Sequence, residues 1–287
     1  MGSLLRAQDL LKGAIDMHVH VNPDTKERIF DSYEAAQQAK DCGMSAVVIK
    51  AHDTITADIA LTANKVIEGV TLYGGITLNQ SIGGFNPETV EKALGRGAKI
   101  VWFPTSSSAS HWKVRNKHYA DKLSIFKDGI DNPGEILTEV IEICKSIAKA
   151  DAILATGHMY YTEVMALLDV ANKVGVKKFL VNHPQNRSVG MGPKEQKEAA
   201  ERGAYMEQCF NFATPHLPLI KPDDFVEAIR AVGPEKCVMA TDMGQIDNFY
   251  PAEGLRVFIR MMQERGISDE DIRMMISKNP RKLLNIE

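Results

Sequence analysis

Short apolar runs rich in β-branched residues alternate along this chain with longer stretches whose apolar positions recur three and four residues apart. The first pattern is that of a buried strand, the second that of an amphipathic helix. Eight runs read as strands, at roughly 14–20, 45–50, 70–76, 99–103, 152–157, 178–182, 204–208 and 237–241. Between most of them one grammar returns: helix, glycine, one or two polar residues, strand. Glu34 to Asp41 leads through Gly43 into Ser45–Ile49, Glu88 to Arg96 through Gly97 into Lys99–Phe103, and Glu163 to Val174 through Gly175 into Lys178–Val181. Glu195 to Arg202 leads through Gly203 into Ala204–Glu207, and Phe225 to Val232 through Gly233 into Cys237–Ala240. A glycine just past a helix takes the left-handed cap conformation that other residues resist. Asn86-Pro87 and Asn132-Pro133 suit helix starts.

Near-continuous apolar strands separated by helices imply a parallel sheet covered on both faces. Eight such units predict an α/β fold, a closed (β/α)8 TIM barrel, with residues 1–287 forming one domain. An open doubly wound sheet alternates in the same way, but usually binds phosphate at a glycine-rich first turn. Here that turn reads His18-Val19-His20-Val21-Asn22-Pro23, without glycine. One connection breaks the rhythm. Thr105 to Asn132, after the fourth strand, has little helical periodicity and is rich in serine, lysine and histidine. A loop of this length on the face where strands end is expected to be a lid (105–132). Asp269 to Leu284 reads as two short helices broken at Asn279-Pro280.

Composition narrows the function classes. The chain has 287 residues, 44% hydrophobic and 25% charged, with a net charge of -3. That balance attracts neither nucleic acid nor an anionic membrane surface. No apolar run approaches the roughly 20 residues of a membrane span, and Met1 to Lys12 lacks the features of a signal peptide. Cys42, Cys144, Cys209 and Cys237 form no CxxC pair, so a reduced, cytoplasmic chain is expected. The partner expected is a small-molecule substrate; self-association is left open.

The chemistry gathers at strand ends. His18 and His20 close the first strand two residues apart, and in an extended strand such residues share a face. His158, His183 and Asp242 follow the fifth, sixth and eighth strands. In a parallel barrel these ends meet on one face. Imidazoles with one carboxylate suit zinc, or manganese, iron or nickel, better than calcium or magnesium.

With these residues in place, the sequence resembles the amidohydrolase superfamily of metal-dependent barrel hydrolases, strand by strand over essentially the whole chain. The resemblance implies that His18, His20 and Asp242 bind metal, that His158 is a further ligand, and that His183 binds a second metal or the hydroxide. It gives Asp242 the proton of the nucleophilic water, so Asp242 and His183 are the expected catalytic residues. Two-metal members carry a bridging lysine or glutamate at the end of strand four. Here that strand ends Trp102-Phe103-Pro104-Thr105, which favours one ion without excluding two.

Lys50, Glu207 and His52 stand near strand ends as candidates to hold a second ion or to support a ligand from behind. Lys50 and Glu207 could equally form a buried ion pair. Asn79, His111 and His216 are candidates for substrate contact. The expected activity is hydrolysis of an amide, lactone or related C–N or C–O bond. The alternatives are a non-hydrolytic decarboxylase of the same superfamily and a metal-binding barrel without catalysis.

Overall fold

The computed structural model of the protein describes residues 2–286. Met1 and Glu287, the two ends of the expected domain, lie outside the described residues. The strand segments are β1 (Ile15–His20), β2 (Ala46–Lys50), β3 (Thr71–Tyr73), β4 (Gly75–Thr77), β5 (Ile100–Trp102), β6 (Ile153–Ala155), β7 (Phe179–Asn182), β8 (Tyr205–Cys209) and β9 (Cys237–Ala240). β3 and β4 are one stave interrupted at Gly74, so the expected eight staves are present. A side chain at Gly74 would collide with the backbone of Thr56 and Ala57, and one at Gly75 with Ile100. The stave therefore runs close against its neighbours only because both positions are glycine.

Every ladder is parallel, in the order β1-β2-β3 and β4-β5-β6-β7-β8-β9. The seam between β9 and β1 carries no regular ladder. A single bridge, Val19 to Met243, joins it, with Asp242 N donating to His18 O (2.9 Å) and His20 N to Met243 O (2.7 Å). Gly244 permits this approach, because a Cβ there would strike the His20 carbonyl.

Among the described residues twelve α-helices pack outside or close the ends: α1 (Gly2–Leu11), α2 (Ser32–Asp41), α3 (Thr56–Ala63), α4 (Pro87–Gly95), α5 (Ala109–Lys113), α6 (Thr138–Ala150), α7 (Tyr161–Val174), α8 (Pro193–Glu201), α9 (Pro222–Val232), α10 (Pro251–Glu264), α11 (Asp269–Arg273) and α12 (Asn279–Leu284). Two apolar clusters follow from the alternation of strand side chains. One fills the barrel with Ile15, Met17, Val48, Trp102, Ile153 and Leu180, and Leu283 and Leu284 of α12 join it. The other lies between staves and helices, as Val47, Ile49, Leu154 and Val181 against Ile143, Leu167 and Phe258. No described helix is long and apolar enough to cross a membrane.

Three details differ from expectation. Residues 2–11 are helical, with Ala7, Leu10 and Leu11 buried at i, i+3 and i+4. Asn279-Pro280 does not break the last segment. A wide π-type turn (Met274–Lys278) runs straight into α12, where a proline at the first positions withholds no needed donor. The 105–132 segment contains the short helix α5 and strand-like bridges from Ser108 to Leu123 and from Phe126 to Ile136.

Candidate metal centre

His18 is fixed from behind. The β1–β2 pairing shifts register between Asp16 and Val19, and beyond the shift His18 and His20 both turn toward Asp242. Asp16 is fully buried and accepts from the backbone of His18 (3.1 Å) and Thr241 (3.1 Å) and from Thr241 Oγ1 (2.5 Å). One carboxyl thus staples the end of β1 to the end of β9. Burial pushes the Asp16 carboxyl up to about 7. His18 Nδ1 lies 2.9 Å from Glu207 Oε2, which Asn182 also contacts at 2.7 Å. Burial, opposed by the Asn182 hydrogen bond, raises Glu207 to about 7. Burial, then Lys50, holds His18 well below its usual range, so His18 is a neutral imidazole. With Nδ1–H donated to Glu207, Nε2 carries the lone pair and faces Lys50 Nζ at 3.1 Å. A carboxylate behind a histidine is the usual way to set a ligand's tautomer.

His20 is held differently. Its Nε2 is 3.0 Å from Asp242 Oδ1, while its Nδ1 faces Arg28 Nη2 at 3.2 Å and Asp24 Oδ2 at 3.6 Å. Asp24 has a buried side chain and accepts from Arg28 Nε (2.8 Å), Arg28 Nη2 (2.5 Å) and the backbone of His52 (2.8 Å), with His52 Nδ1 at 2.9 Å. Burial works to raise the Asp24 pKa, but the hydrogen bonds from His20 and His52 outweigh it and hold Asp24 far below the carboxylate range. The His20 and His52 rings stack at 4.8 Å.

The donor set fits a transition-metal ion. His18 Nε2 is 3.1 Å and His20 Nε2 3.0 Å from the same Asp242 oxygen, and the three ligand atoms cluster. Ligands at right angles on bonds of about 2.1 Å stand about 3 Å apart. Burial raises Asp242, but His18 and His20 hold it well below its usual range, so it offers an anionic oxygen. His183 Nδ1 is buried without a partner, an orphan that a nearby ion or bound water would satisfy. Asp242 and His183 both have left-handed backbone, φ 55° and 31°, a strained conformation typical of functional sites.

The other expected residues divide. Glu207 stands on the Nδ1 side of His18, away from the Nε2 that meets Asp242, and with His18 and Cys209 it forms a second group of potential ligand atoms. Lys50 Nζ lies 3.1 Å from His18 Nε2 and 5.3 Å from the centre of the Trp102 ring, its pKa lowered by burial. The alternative of a direct Lys50–Glu207 ion pair is not formed among the described residues: His18 stands between them. His158 packs its ring 4.9 Å from His183 and shares Nδ1 with His111 Nδ1 at 2.7 Å. Its ligand atoms do not join the His18, His20 and Asp242 cluster. His52 joins the Asp24 network. Asn79 is spent structurally, donating to His52 O (3.0 Å) and Thr105 Oγ1 (3.0 Å) and accepting from the backbone of Thr105 (2.9 Å). It does not line the cavity.

That cavity, about 600 Å³, opens over Asp242 and His20. His52, His111, His158 and His216 line it, and so do Ser106, Trp112, Arg115 and Lys117 of the 105–132 segment. Asp16, Asp24 and Arg28 were missed in the sequence. Asp16 carried a signal, as a lone acid inside an apolar strand. Asp24 and Arg28 lie in a loop without periodicity.

Residues 13–207 match the model of a family described as a family of unknown function (DUF6282). No curated protein matches the chain in sequence. Solved structures match in fold. An amidohydrolase from Pseudomonas aeruginosa is 12% identical with a TM-score of 0.63, covering 99% of this chain and 98% of its own. The probable dipeptidase PvdM from Pseudomonas aeruginosa is 11% identical with a TM-score of 0.70, over 98% and 97%. A 2,6-dihydroxybenzoate decarboxylase from Rhizobium is 11% identical with a TM-score of 0.57, over 96% and 99%. At such identity the likeness is one of fold alone, an α/β barrel of parallel strands and outer helices.

Proposed function

The chain belongs to the DUF6282 family, and we propose that it is a metal-dependent hydrolase of a small molecule, acting on an amide, lactone or related C–N or C–O bond. One observation carries the reading: His18 Nε2, His20 Nε2 and a buried, ionised Asp242 converge at ligand spacing on the barrel face where strand ends meet. His18, His20 and Asp242 would hold a divalent transition ion there, zinc or else manganese, iron or nickel, and it would supply a water acidified toward about 7. Asp242 accepts the proton and returns it to the leaving group. Glu207 keeps His18 in the ligating tautomer. His183, with its free Nδ1, orients the water or substrate oxygen, and His158 and His111 form the wall beside it. His216 contacts substrate from the opposite rim. The 105–132 segment is the lid that excludes bulk water.

A decarboxylase ranks second, favoured by the missing lysine or glutamate at the end of β5 and by the fold shared with a decarboxylase. A metal-binding barrel without turnover ranks third. Protein as purified is expected to carry about one equivalent of divalent metal, and none once His18 and His20 are both alanine. Full retention in that double variant sinks the assignment. Turnover in ¹⁸O-labelled water is expected to label the product; unlabelled product with carbon dioxide released decides for the second reading.

A further inference from the structure

Resting on that reading of the site, we infer that the substrate is an oxyanion, a small molecule whose carboxylate or phosphate is gripped by Arg28 on the floor and by Lys26, Arg115 and Lys117 at the rim. The lining of the cavity contains four fixed cations and one carboxylate, Asp242, which faces the two histidines of β1. The other lysines of the 105–132 segment are paired: Lys113 with Asp131, Lys122 with Asp121 and Lys127 with Glu135. Among the described residues Lys26, Arg115 and Lys117 have no acidic partner. Lys117 rests over the Trp112 ring at 5.5 Å, and Arg115 donates Nη1 to His111 O at 2.7 Å. These contacts hold both side chains over the cavity without cancelling their charge.

Arg28 gives the stronger argument. Its side chain is 3% exposed, yet it lines the cavity. Asp24 takes Nε and Nη2, and the histidines crowd Nη2. Nη1 meets no protein acceptor among the described residues. A guanidinium is a permanent donor, and a buried one with an arm free toward a cavity is a ready partner for an anionic oxygen. Trp112, Phe212 and Leu217 add apolar surface to the lining, which suits a substrate with an apolar or aromatic body.

Isophthalate, isophthalamide and phenyl phosphate, titrated by calorimetry into protein as purified and into chelator-stripped protein, test this. An anion should bind at least about tenfold tighter than the neutral diamide, the worth of one charge-assisted contact. Whichever anion binds tighter identifies the oxyanion. The triple variant Lys26→Ala, Arg115→Ala, Lys117→Ala, altered only at exposed positions, should lose most of that preference, read as the ratio of anion to diamide affinity within the variant. Arg28→Lys, which keeps the charge but loses the fork, should lose part of it. Equal affinity for anion and diamide overturns the inference, as does no binding of either anion or an unaltered preference in the triple variant. Anion preference in protein that binds no metal would leave the oxyanion site standing and remove the metal-hydrolase reading.

Discussion

His18 and His20 are two residues apart on one strand and reach one oxygen of Asp242, yet they are backed in opposite ways. Behind His18 lies a carboxyl, Glu207, which takes the Nδ1 proton and leaves Nε2 as an acceptor facing Lys50 and Asp242. Behind His20 lies an ion pair, Arg28 with Asp24, and Nδ1 faces both partners, at 3.2 Å and 3.6 Å. A proton on Nδ1 of either ring leaves Nε2 able to ligate. One carboxyl fixes that tautomer at His18, whereas at His20 it requires Nδ1–H to point at Asp24 rather than to accept from Arg28. One side thus spends its buried acid on ligand affinity, the other on folding and charge balance.

The largest effect should fall where the two sides meet. Asp242→Asn keeps an oxygen ligand but cannot accept a proton, so kcat should fall by roughly 10²–10⁴; an unaffected variant removes the proton-shuttle role. Asp24→Asn strips the partner of a buried Arg28 and should cost about 3–5 kcal/mol of stability, seen in denaturant unfolding of metal-stripped protein. Glu207→Gln should do the reverse, weakening metal binding by about 10–100-fold in a chelator competition, with the smaller change in stability. Were the two variants to show the same pattern, the distinction between the sides would collapse.

The smallest effect lies farther out. Glu163, fully buried near the start of α7, accepts from Ser124 Oγ (2.7 Å) and Ile125 N (3.1 Å) and so ties the end of the lid segment to the barrel. Burial raises its pKa. A carboxyl whose folded pKa is raised gives its full stability below the unfolded value, near 4.3, and loses it as pH rises through the folded value. Wild-type stability should therefore drift down over that window, and Glu163→Gln should flatten the drift. An identical pH profile in the variant refutes the assignment.

The barrel was legible because strands buried on both faces write themselves as apolar runs, and five of the helices were marked at their ends by a glycine. Even the interrupted stave fell within one predicted strand, at 70–76. His18, His20, His183 and Asp242 were legible as candidates because a strand end fixes where its side chains point. The backing residues were not. Asp24 and Arg28 sit in a loop whose path no periodicity predicts. The His111–His158 contact needs the fold of the 105–132 segment, and Asn79 looked like a substrate contact until its amide was seen to be used by Thr105 and His52.

The seam between β9 and β1 has a consequence in time. His18 and Asp242 close the barrel with their own backbone and build the candidate site with their side chains, across some 224 positions of sequence. A chain growing from the ribosome holds its two first-strand histidines long before it holds their carboxylate partner. Until residues near 242 emerge and dock, the early strand has an open edge and an incomplete nest of ligands. On the proposed reading, ion capture and the final closure of the sheet would be one late event, and an ion bound there would act as a clasp on a structure that is otherwise already folded.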